Sequence, residues 1–390
     1  MKKEEALLVA ICSSYFNSTP LTLSTDIDYN YLYTLAAHHN LLGICHCILY
    51  DKDGAPDDFL RTLKSDFEDY IFSYQCQCNI KSELSSLLSA GSVRHVFFKG
   101  AVIRELYPVP EARAMGDIDV LIDEENRDKV KKLLTDNGFV CTAKNGQVYD
   151  YVKGNVLIEV HTNLMTEYGR ELFSSPFDFT DTGDFCRSLD SDYHLAYMIA
   201  HTANHMKNSG AGVRFILDLA VWQRQYEINY DKLLDMLERI NLTTFGKALL
   251  SVCNKWFGVG RDFDADTERL EEYIVSYGVF GTLKDSKGST VSRLIQLKAL
   301  GEDDKGLDKS SLQLKLKLAF PSYELLRRAS YINFLDGKPY LLPLAWGYRF
   351  FYNLKNHRHH MLETIKNVDD EKTAALAKEE LEFFKEIGII

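Results

Sequence analysis

The sequence has no long uncharged hydrophobic run. Nowhere do about eighteen apolar residues follow one another without a charge, so we expect no segment to span a bilayer. The opening segment, MKKEEALLVAICSSYF, also lacks the features of a secretory signal, because Glu4 and Glu5 interrupt its basic start and no A-x-A-like cleavage site follows. We therefore predict that it forms the first helix and that the protein is cytoplasmic.

Positive charge is scarce as well. The 45 lysines and arginines are outnumbered by 56 aspartates and glutamates, which gives a formal net charge of −11. A negative potential of this kind repels long polyanions, so extended DNA or RNA is not an expected partner unless a local basic patch receives it. A triphosphate that is carried with magnesium is compatible with this charge.

The eight cysteines lack the loop spacing that is typical of zinc sites. The two close pairs, Cys45 with Cys47 and Cys76 with Cys78, lie in segments with helical periodicity, where residues two apart do not share a face. We interpret the cysteines as reduced core residues of a cytosolic protein.

Internal repeats and low-complexity tracts are also missing, and 390 residues with 46% hydrophobic content allow two or three domains with ordinary cores. Helical periodicity dominates residues 1–90, an α/β pattern occupies 91–185, and helical signals return in 186–390. The sequence thus predicts an α+β fold. A small mixed-sheet core is flanked by an N-terminal helical layer and a larger C-terminal helical domain.

The α/β region has a clear order of predicted elements. HVFFKG is typical of a buried strand that ends in a turn, and AVIRELY, DIDVLID and EENRDKVKKLLTDNGF follow as helix, strand and helix. QVYDYVKGNVLIEVHTNL predicts a hairpin with a Lys-Gly-Asn turn.

Two aspartates occupy alternate positions of the strand DIDVLID. Asp117 and Asp119 therefore share one face, while Ile118 and Val120 take the other. The two aspartates are about 6.6 Å apart along the strand, which lets both carboxylates approach one cation. Carboxylates this close resist ionisation unless a divalent cation compensates their charge, and magnesium prefers such oxygen ligands.

The same alternation places Glu159 and His161 on one face of the strand VLIEVHT. If the hairpin pairs beside the Asp-x-Asp strand, Glu159 becomes the third carboxylate of the site. His161 is then expected either to orient that carboxylate or to take part directly in nucleotide binding.

Lys99 and Gly100 stand where a strand ends and a helix begins. Free backbone N–H groups at such a point bind phosphate, and glycine allows a phosphate to approach the chain closely. Lys99 adds a point charge, and Arg113, just ahead of the aspartates, can bind a phosphate through two parallel hydrogen bonds.

Three further polar residues lie in apolar helical segments. His201 and His205 share a helical face, but the glutamate of an HExxH motif is missing, so packing or substrate contact is favoured over a metal site. Asp218 is expected to form a structural salt bridge to Arg214, one turn earlier, with nucleotide contact as the alternative.

Residues 346–361, WGYRFFYNLKNHRHHM, interleave aromatic and basic side chains. We expect a helix that packs through its aromatics, with binding of a nucleic acid, membrane surface or partner as the alternative. Segments near residues 287 and 301 are predicted to be solvated loops.

The run HVFFKGAVIRELYPVPEARAMGDIDVLID followed by VLIEVHTNL resembles the bacterial uncharacterised nucleotidyltransferase family of the DNA polymerase β superfamily. HLAYMIAHTANHM, VRFILDLAVW and YLLPLAWGYRFF are similar to that family's helical region. Two features depart from the wider superfamily. Gly-Ser or Gly-Gly usually stands where this chain has Lys99 and Gly100, and the third carboxylate is often aspartate where this chain has Glu159.

The resemblance implies a nucleotidyltransferase core in which Asp117, Asp119 and Glu159 bind Mg²⁺, with Mn²⁺ as the alternative. The expected reaction moves a nucleoside monophosphate from a triphosphate to an acceptor and releases pyrophosphate in a two-metal scheme. Lys99, Gly100, Arg113 and His161 would contact the nucleotide. The acceptor class stays open between a small molecule, a sugar, an RNA end and a protein side chain. A non-catalytic nucleotide sensor and a metal-dependent phosphohydrolase are the rival interpretations.

Overall fold

The computed structural model describes residues 1–24, 26–145, 148–278, 319–326, 330–335, 337–356 and 371–390. The predicted loops near residues 287 and 301 lie outside these ranges. The described α-helices are α1 (Lys3–Asn17), α2 (Tyr29–His38), α3 (Leu42–Leu49), α4 (Asp57–Ala90), α5 (Gly100–Ile103), α6 (Arg127–Asp136), α7 (Ser191–Asn208), α8 (Val213–Gln225), α9 (Tyr230–Arg239), α10 (Thr243–Phe257), α11 (Glu268–Tyr277), α12 (Tyr323–Leu326), α13 (Leu342–Asn356) and α14 (Glu371–Glu386). The strands are β1 (His95–Phe97), β2 (Asp117–Ile122), β3 (Val140–Asn145), β4 (Val148–Lys153), β5 (Val156–His161) and β6 (Cys186–Arg187).

The chain forms two compact units. The first comprises residues 1–206 and 210–283, and the second comprises residues 207–209 and 284–390. The first unit contains the whole described sheet together with the helices that precede and follow it. The boundaries predicted at residues 90 and 185 fall inside this unit and stay predictions of domain structure.

The first ninety residues are helical, as the periodicity predicted. The opening segment forms α1, and the two cysteine pairs lie on α3 and α4. All eight cysteines have free thiols. The side chain of Asp28 caps α2 by accepting hydrogen bonds from the backbone N–H groups of Asn30 and Tyr31, which satisfies donors that the helix leaves unpaired. No helix in the described ranges is long and apolar enough to cross a membrane.

One six-stranded mixed sheet, in the order β3-β4-β5-β2-β1-β6, confirms the predicted α+β class. β2 pairs with β1 in antiparallel and with β5 in parallel fashion, while β4 is antiparallel to both β3 and β5. β2 therefore lies inside the sheet, with β5 as its neighbour on one side. This order brings β2 next to β5, although α6, β3 and β4 lie between them in the sequence.

The hydrophobic core lies under one face of this sheet. Alternate residues of the strands, among them Ile118, Val120 and Ile158, pack there against Leu88 of α4 and Leu134 of α6. The residues between them must point to the other face, because side chains alternate along a strand. That alternation fixes which side of the sheet can carry polar chemistry.

The predicted hairpin is present, since Lys153 pairs with Val156 and Gly154 has a φ of +59°, which suits a tight turn. Two strands were not predicted. β3 has a polar sequence at the sheet edge, and β6 has only two residues, so neither has the hydrophobic alternation that marks a strand.

In the second unit, Leu326, Ile332, Leu335 and Ala345 form a small core. The aromatic-basic stretch begins on α13, and its residues 357–361 lie outside the described ranges. Trp346 packs against this core, as expected for a helix that packs through its aromatics. Tyr348, Phe350 and Phe351 are instead exposed, although the Tyr348 ring also contacts Phe334 at the edge of this core.

Candidate active site

Asp119 and Glu159 lie opposite each other on neighbouring strands. β2 and β5 run parallel, and their register pairs Asp119 directly with Glu159. Because Ile118 and Ile158 enter the hydrophobic core, the two carboxylates lie on the other face of the sheet. The condition under which the sequence predicted a third carboxylate is therefore met.

His161 lies within hydrogen-bonding distance of both carboxylates. Its Nε2 is 3.0 Å from Oδ1 of Asp119 and 3.2 Å from Oε2 of Glu159. Burial lowers the pKa of His161, but these two hydrogen bonds outweigh burial and raise the pKa above its ordinary value. The sequence placed His161 on this face beside the nucleotide and did not count it among the metal ligands.

A cluster of metal-ligating atoms results. Asp119, Glu159 and His161 each offer one ligand atom, and these three atoms lie within 4.8 Å of one another. Carboxylate oxygens and an imidazole nitrogen are ligands for divalent cations, so the cluster could hold a metal ion. Asp117, which the sequence grouped with Asp119 and Glu159, lies on the same face but outside this closest set of three.

The ionised form of Asp117 is destabilised by its surroundings. Burial, followed by the negative charges of Asp119 and Glu159, raises the pKa of Asp117 to about 6. Its carboxylate thus ionises with difficulty, as expected for carboxylates that share one partly buried face. A nearby divalent cation would supply the compensating charge.

Lys99 provides a positive charge inside the cluster. Its Nζ donates a hydrogen bond to Oδ1 of Asp119 at 2.7 Å, and the Asp119 side chain is buried while that of Lys99 is half-buried. Burial disfavours the charged form of Asp119, but Lys99 and His161 outweigh it and hold the pKa of Asp119 below its usual range. One lysine among three carboxylates leaves a deficit of positive charge, so the residues present fit a divalent cation.

The turn at Lys99 has an unusual backbone. Lys99 adopts φ 48° and ψ −131°, a conformation that favours glycine, and its N–H donates to Nε2 of His194 at 3.2 Å. Gly100 has a packing reason to lack a side chain, because a Cβ there would lie 2.9 Å from Nη1 of Arg113 and 3.1 Å from Met115. The phosphate contacts predicted for Lys99 and Gly100 stay predictions.

Arg113 is already engaged within the protein. Its Nε and Nη2 each donate to one carboxylate oxygen of Asp218 at 2.8 Å, and Tyr107 adds a hydroxyl hydrogen bond to the same carboxylate at 2.6 Å. The salt bridge expected for Asp218 therefore exists, but the prediction of its partner was wrong. The partner is Arg113, which lies on a distant loop, and not Arg214 on the same helix. The predicted phosphate contact of Arg113 stays a prediction.

Helix α7 lines the site with a stripe of rings. The ring centroids of His201 and His205 are 4.4 Å apart, and those of His201 and Tyr197 are 5.9 Å apart. Burial lowers the pKa of His201 well below its ordinary value and that of His205 to about 4. Both imidazoles are therefore neutral at physiological pH, and their ring contacts agree with the packing role that the sequence favoured.

Sequence reasoning missed three residues near this cluster. His194 accepts the Lys99 N–H, and burial raises the pKa of Tyr197 to about 12 against the opposing charge of Lys99. The third is Arg214, which was considered only as a partner of Asp218. The spacing of His194, Tyr197 and His201 in HLAYMIAH was a usable signal, because intervals of three and four place residues on one helical face.

The comparisons with known proteins agree with this geometry. Residues 25–258 match the family described as uncharacterised nucleotidyltransferase, a range that covers α2 to α10 and the whole described sheet. Neither a curated protein nor a solved structure matches the sequence. The family match extends over more than half of the 390 residues and includes every residue of the cluster. The chain belongs to this uncharacterised nucleotidyltransferase family and is, at that general level, a transferase.

Proposed function

We propose that the protein transfers a nucleoside monophosphate from a nucleoside triphosphate to a hydroxyl-bearing acceptor and releases pyrophosphate. The observation that carries this proposal is the register of β2 and β5, which places Asp119 opposite Glu159 with Asp117 and His161 on the same face. Membership of a nucleotidyltransferase family favours transfer over simple hydrolysis.

Asp117, Asp119 and Glu159 would hold Mg²⁺ or Mn²⁺ in this function, and His161 is placed to join them. A bound divalent cation polarises the phosphoryl oxygens and offsets the charge that develops on the leaving pyrophosphate. The raised pKa of Asp117 supports the proposal, since three carboxylates on one face with a single ion-paired lysine are short of positive charge.

The chain's own groups then position the reactants. Asp119 fixes the ammonium of Lys99 at the mouth of the turn, and the remaining donors of that ammonium can reach phosphate oxygens. Glu159 lies on a different strand from Asp117 and Asp119, so we assign it to the side where the acceptor hydroxyl attacks. When His161 is not bound to a cation, its Nε2 lies within hydrogen-bonding distance of both Asp119 and Glu159 and holds the two carboxylates in place relative to each other.

The test is to incubate the protein with magnesium, each α-labelled nucleoside triphosphate and a fractionated lysate. We expect label on one acceptor and an equal amount of free pyrophosphate. The Asp117→Asn, Asp119→Asn double variant serves as the inactive control. Release of inorganic phosphate, with the label left on a nucleoside diphosphate and no labelled adduct, would move the protein to the hydrolases. Triphosphate binding without any turnover across acceptor fractions would instead identify a nucleotide sensor.

A further inference from the structure

Arg214 has no carboxylate partner among the residues that the structure describes. It lies in the first turn of α8, and its one hydrogen bond in the described chain is a long one, 3.4 Å from Nη1 to the carbonyl oxygen of Ala114. Its Nε is buried and has no hydrogen-bond partner. Burying an arginine donor without a partner is costly, so this arrangement calls for an explanation.

Asp218, one turn later on α8, does not neutralise Arg214. Both carboxylate oxygens of Asp218 are taken by Arg113, and one of them also accepts from Tyr107. Arg113 and Arg214 therefore bring two positive charges to a region that contains one paired carboxylate. Burial, followed by the charge of Arg113, lowers the pKa of Arg214. Among the described residues Arg214 thus has no ion-pair partner of its own, although the more distant charges of Asp218 and Asp117 oppose the fall in its pKa.

The position of Arg214 relates it to the carboxylate cluster. Ala114, which Nη1 of Arg214 contacts, lies just ahead of Asp117 in the chain, and the charge of Arg214 opposes the rise in the pKa of Asp117. The two side chains nevertheless form no ion pair within the described residues. From α7, the neutral rings of His201 and His205 face the same region, and the Phe215 ring lies 5.5 Å from the guanidinium carbon.

The carboxylate cluster and Arg214 together match the charges of a metal-bound triphosphate. Within the described residues neither Asp117 nor Arg214 forms an ion pair, so the first is short of a cation and the second is short of an anion. A divalent cation with a triphosphate supplies both in one ligand, whereas a metal ion alone leaves Arg214 unpaired. An arginine fork also binds two phosphate oxygens through parallel hydrogen bonds in a fixed geometry, which the rotating ammonium of Lys99 does not impose.

We propose that Arg214, and not Arg113, is the arginine that binds the two phosphates of the substrate triphosphate that leave as pyrophosphate. The identity of the anion rests on the proposed function. Arg113 has a supporting role, because it is held by Asp218 behind Gly100. Substitution by glutamine should therefore weaken phosphate binding without destabilising the fold at Arg214, and should destabilise the fold at Arg113.

The experiment measures calorimetric binding of magnesium tripolyphosphate to the full chain, a probe that needs no knowledge of the base or acceptor. We expect Arg214→Gln to weaken this binding at least tenfold and to leave the melting temperature unchanged or higher, since it removes an unpaired buried cation. Arg214→Lys should recover part of the affinity, because it keeps the charge and loses the fork. Arg61→Gln, an exposed charge-matched control on α4, should bind as the wild type does.

The proposal is overturned if Arg214→Gln binds tripolyphosphate as the wild type does, if Arg61→Gln loses as much affinity, or if the wild type does not bind the probe at all. A fall in melting temperature for Arg214→Gln comparable with that for Arg113→Gln would also overturn it, since Arg214 would then be structural. Its failure is distinct from that of the proposed function. A protein that binds tripolyphosphate through Arg214 and transfers no nucleotide would retain this site and lose the transferase assignment.

Discussion

Arg113 and Asp218 stand 105 residues apart in the sequence and form a two-pronged ion pair that only 4% and 10% of their side-chain surfaces expose. The pair joins the loop before β2 to helix α8. It thereby holds Gly100 and the strand of Asp117 and Asp119 in position relative to α8. Breaking a buried pair is costly because one charge is left without a partner.

We accordingly predict that Arg113→Gln destabilises the fold by about 3–5 kcal/mol, the cost typical of leaving one member of a buried pair uncompensated. Urea denaturation followed by circular dichroism measures the free energy of unfolding. The Arg113→Met, Asp218→Leu double variant should lose less than the two single variants together, because it leaves no isolated charge. Additive losses, or a wild-type midpoint for Arg113→Gln, would contradict a structural role for this pair.

The second prediction concerns Asp117 in metal-free protein. Its folded-state pKa of about 6 exceeds the ordinary 3.8, so the folded protein holds this proton more tightly than the unfolded chain. The resulting penalty on folding is absent below pH 3.8 and grows to its full size as the pH rises through about 6. Asp117→Asn should therefore raise the free energy of unfolding at pH 7.5 by up to about 3 kcal/mol.

The same variant should gain nothing near pH 4, where the wild-type carboxyl is protonated in the fold. Thermal unfolding of both proteins across pH 4 to 8 in a chelating buffer checks this difference. A gain that does not change with pH would show that repulsion at Asp117 is not its source. Saturating magnesium should reverse the order at pH 7.5, because the wild type alone keeps the carboxylate that binds the cation.

The third prediction is that triphosphate binding depends on a divalent cation held by the carboxylate cluster. Calorimetric titration with magnesium should give a much higher affinity than titration after chelation, and the Asp117→Ala, Asp119→Ala double variant should lose that difference.

If His161 is a ligand, His161→Ala should weaken Mn²⁺ binding more than Mg²⁺ binding, because imidazole suits transition metals better. His46→Ala, at a half-buried imidazole of α3 that stacks on Phe67 of α4, is the control. Equal affinity with and without the cation would exclude the metal site.

The fourth prediction separates chemistry from binding at Glu159. Glu159 lies on β5, the strand next to the one that carries Asp117 and Asp119. Its substitution should therefore slow the chemical step and change the ground-state affinity for the triphosphate little. Glu159→Gln should keep triphosphate affinity within a few-fold and lose most turnover, while Glu159→Asp should retain part of the rate, more so with manganese. Transfer at the wild-type rate by Glu159→Gln would end its assignment as a catalytic residue.

The local part of the site followed from the sequence. The alternation of Asp117 with Ile118, and of Glu159 with Val160, determined which residues share a face, and the Lys-Gly-Asn segment located the hairpin. These features depend on neighbours a few residues apart, where strand geometry and turn chemistry act directly. The alternation of residues along each strand and the few residues of the turn are therefore enough to predict these features.

The partners across the fold could not be predicted in this way. Local spacing does not favour Arg113 over Arg214 as the partner of Asp218, because the choice depends on where the loop before β2 meets α8. The ion pair between Lys99 and Asp119 likewise depends on the neighbouring positions of β1 and β2. Burial also decides which charges are neutralised, and it is a property of the packed chain. The unpaired state of Arg214 is visible only after these partners are known.

The backbone of Lys99 has a consequence for how this position can vary. A lysine held at φ 48° costs folding free energy that glycine would not, whereas glycine would leave Asp119 without its ammonium. No residue can meet both demands fully, so position 99 is a point of trade-off between stability and activity. Under the proposed function, a glycine here would give a less strained turn and slower transfer. With lysine, the chain tolerates local strain at a position where the ammonium pairs with Asp119.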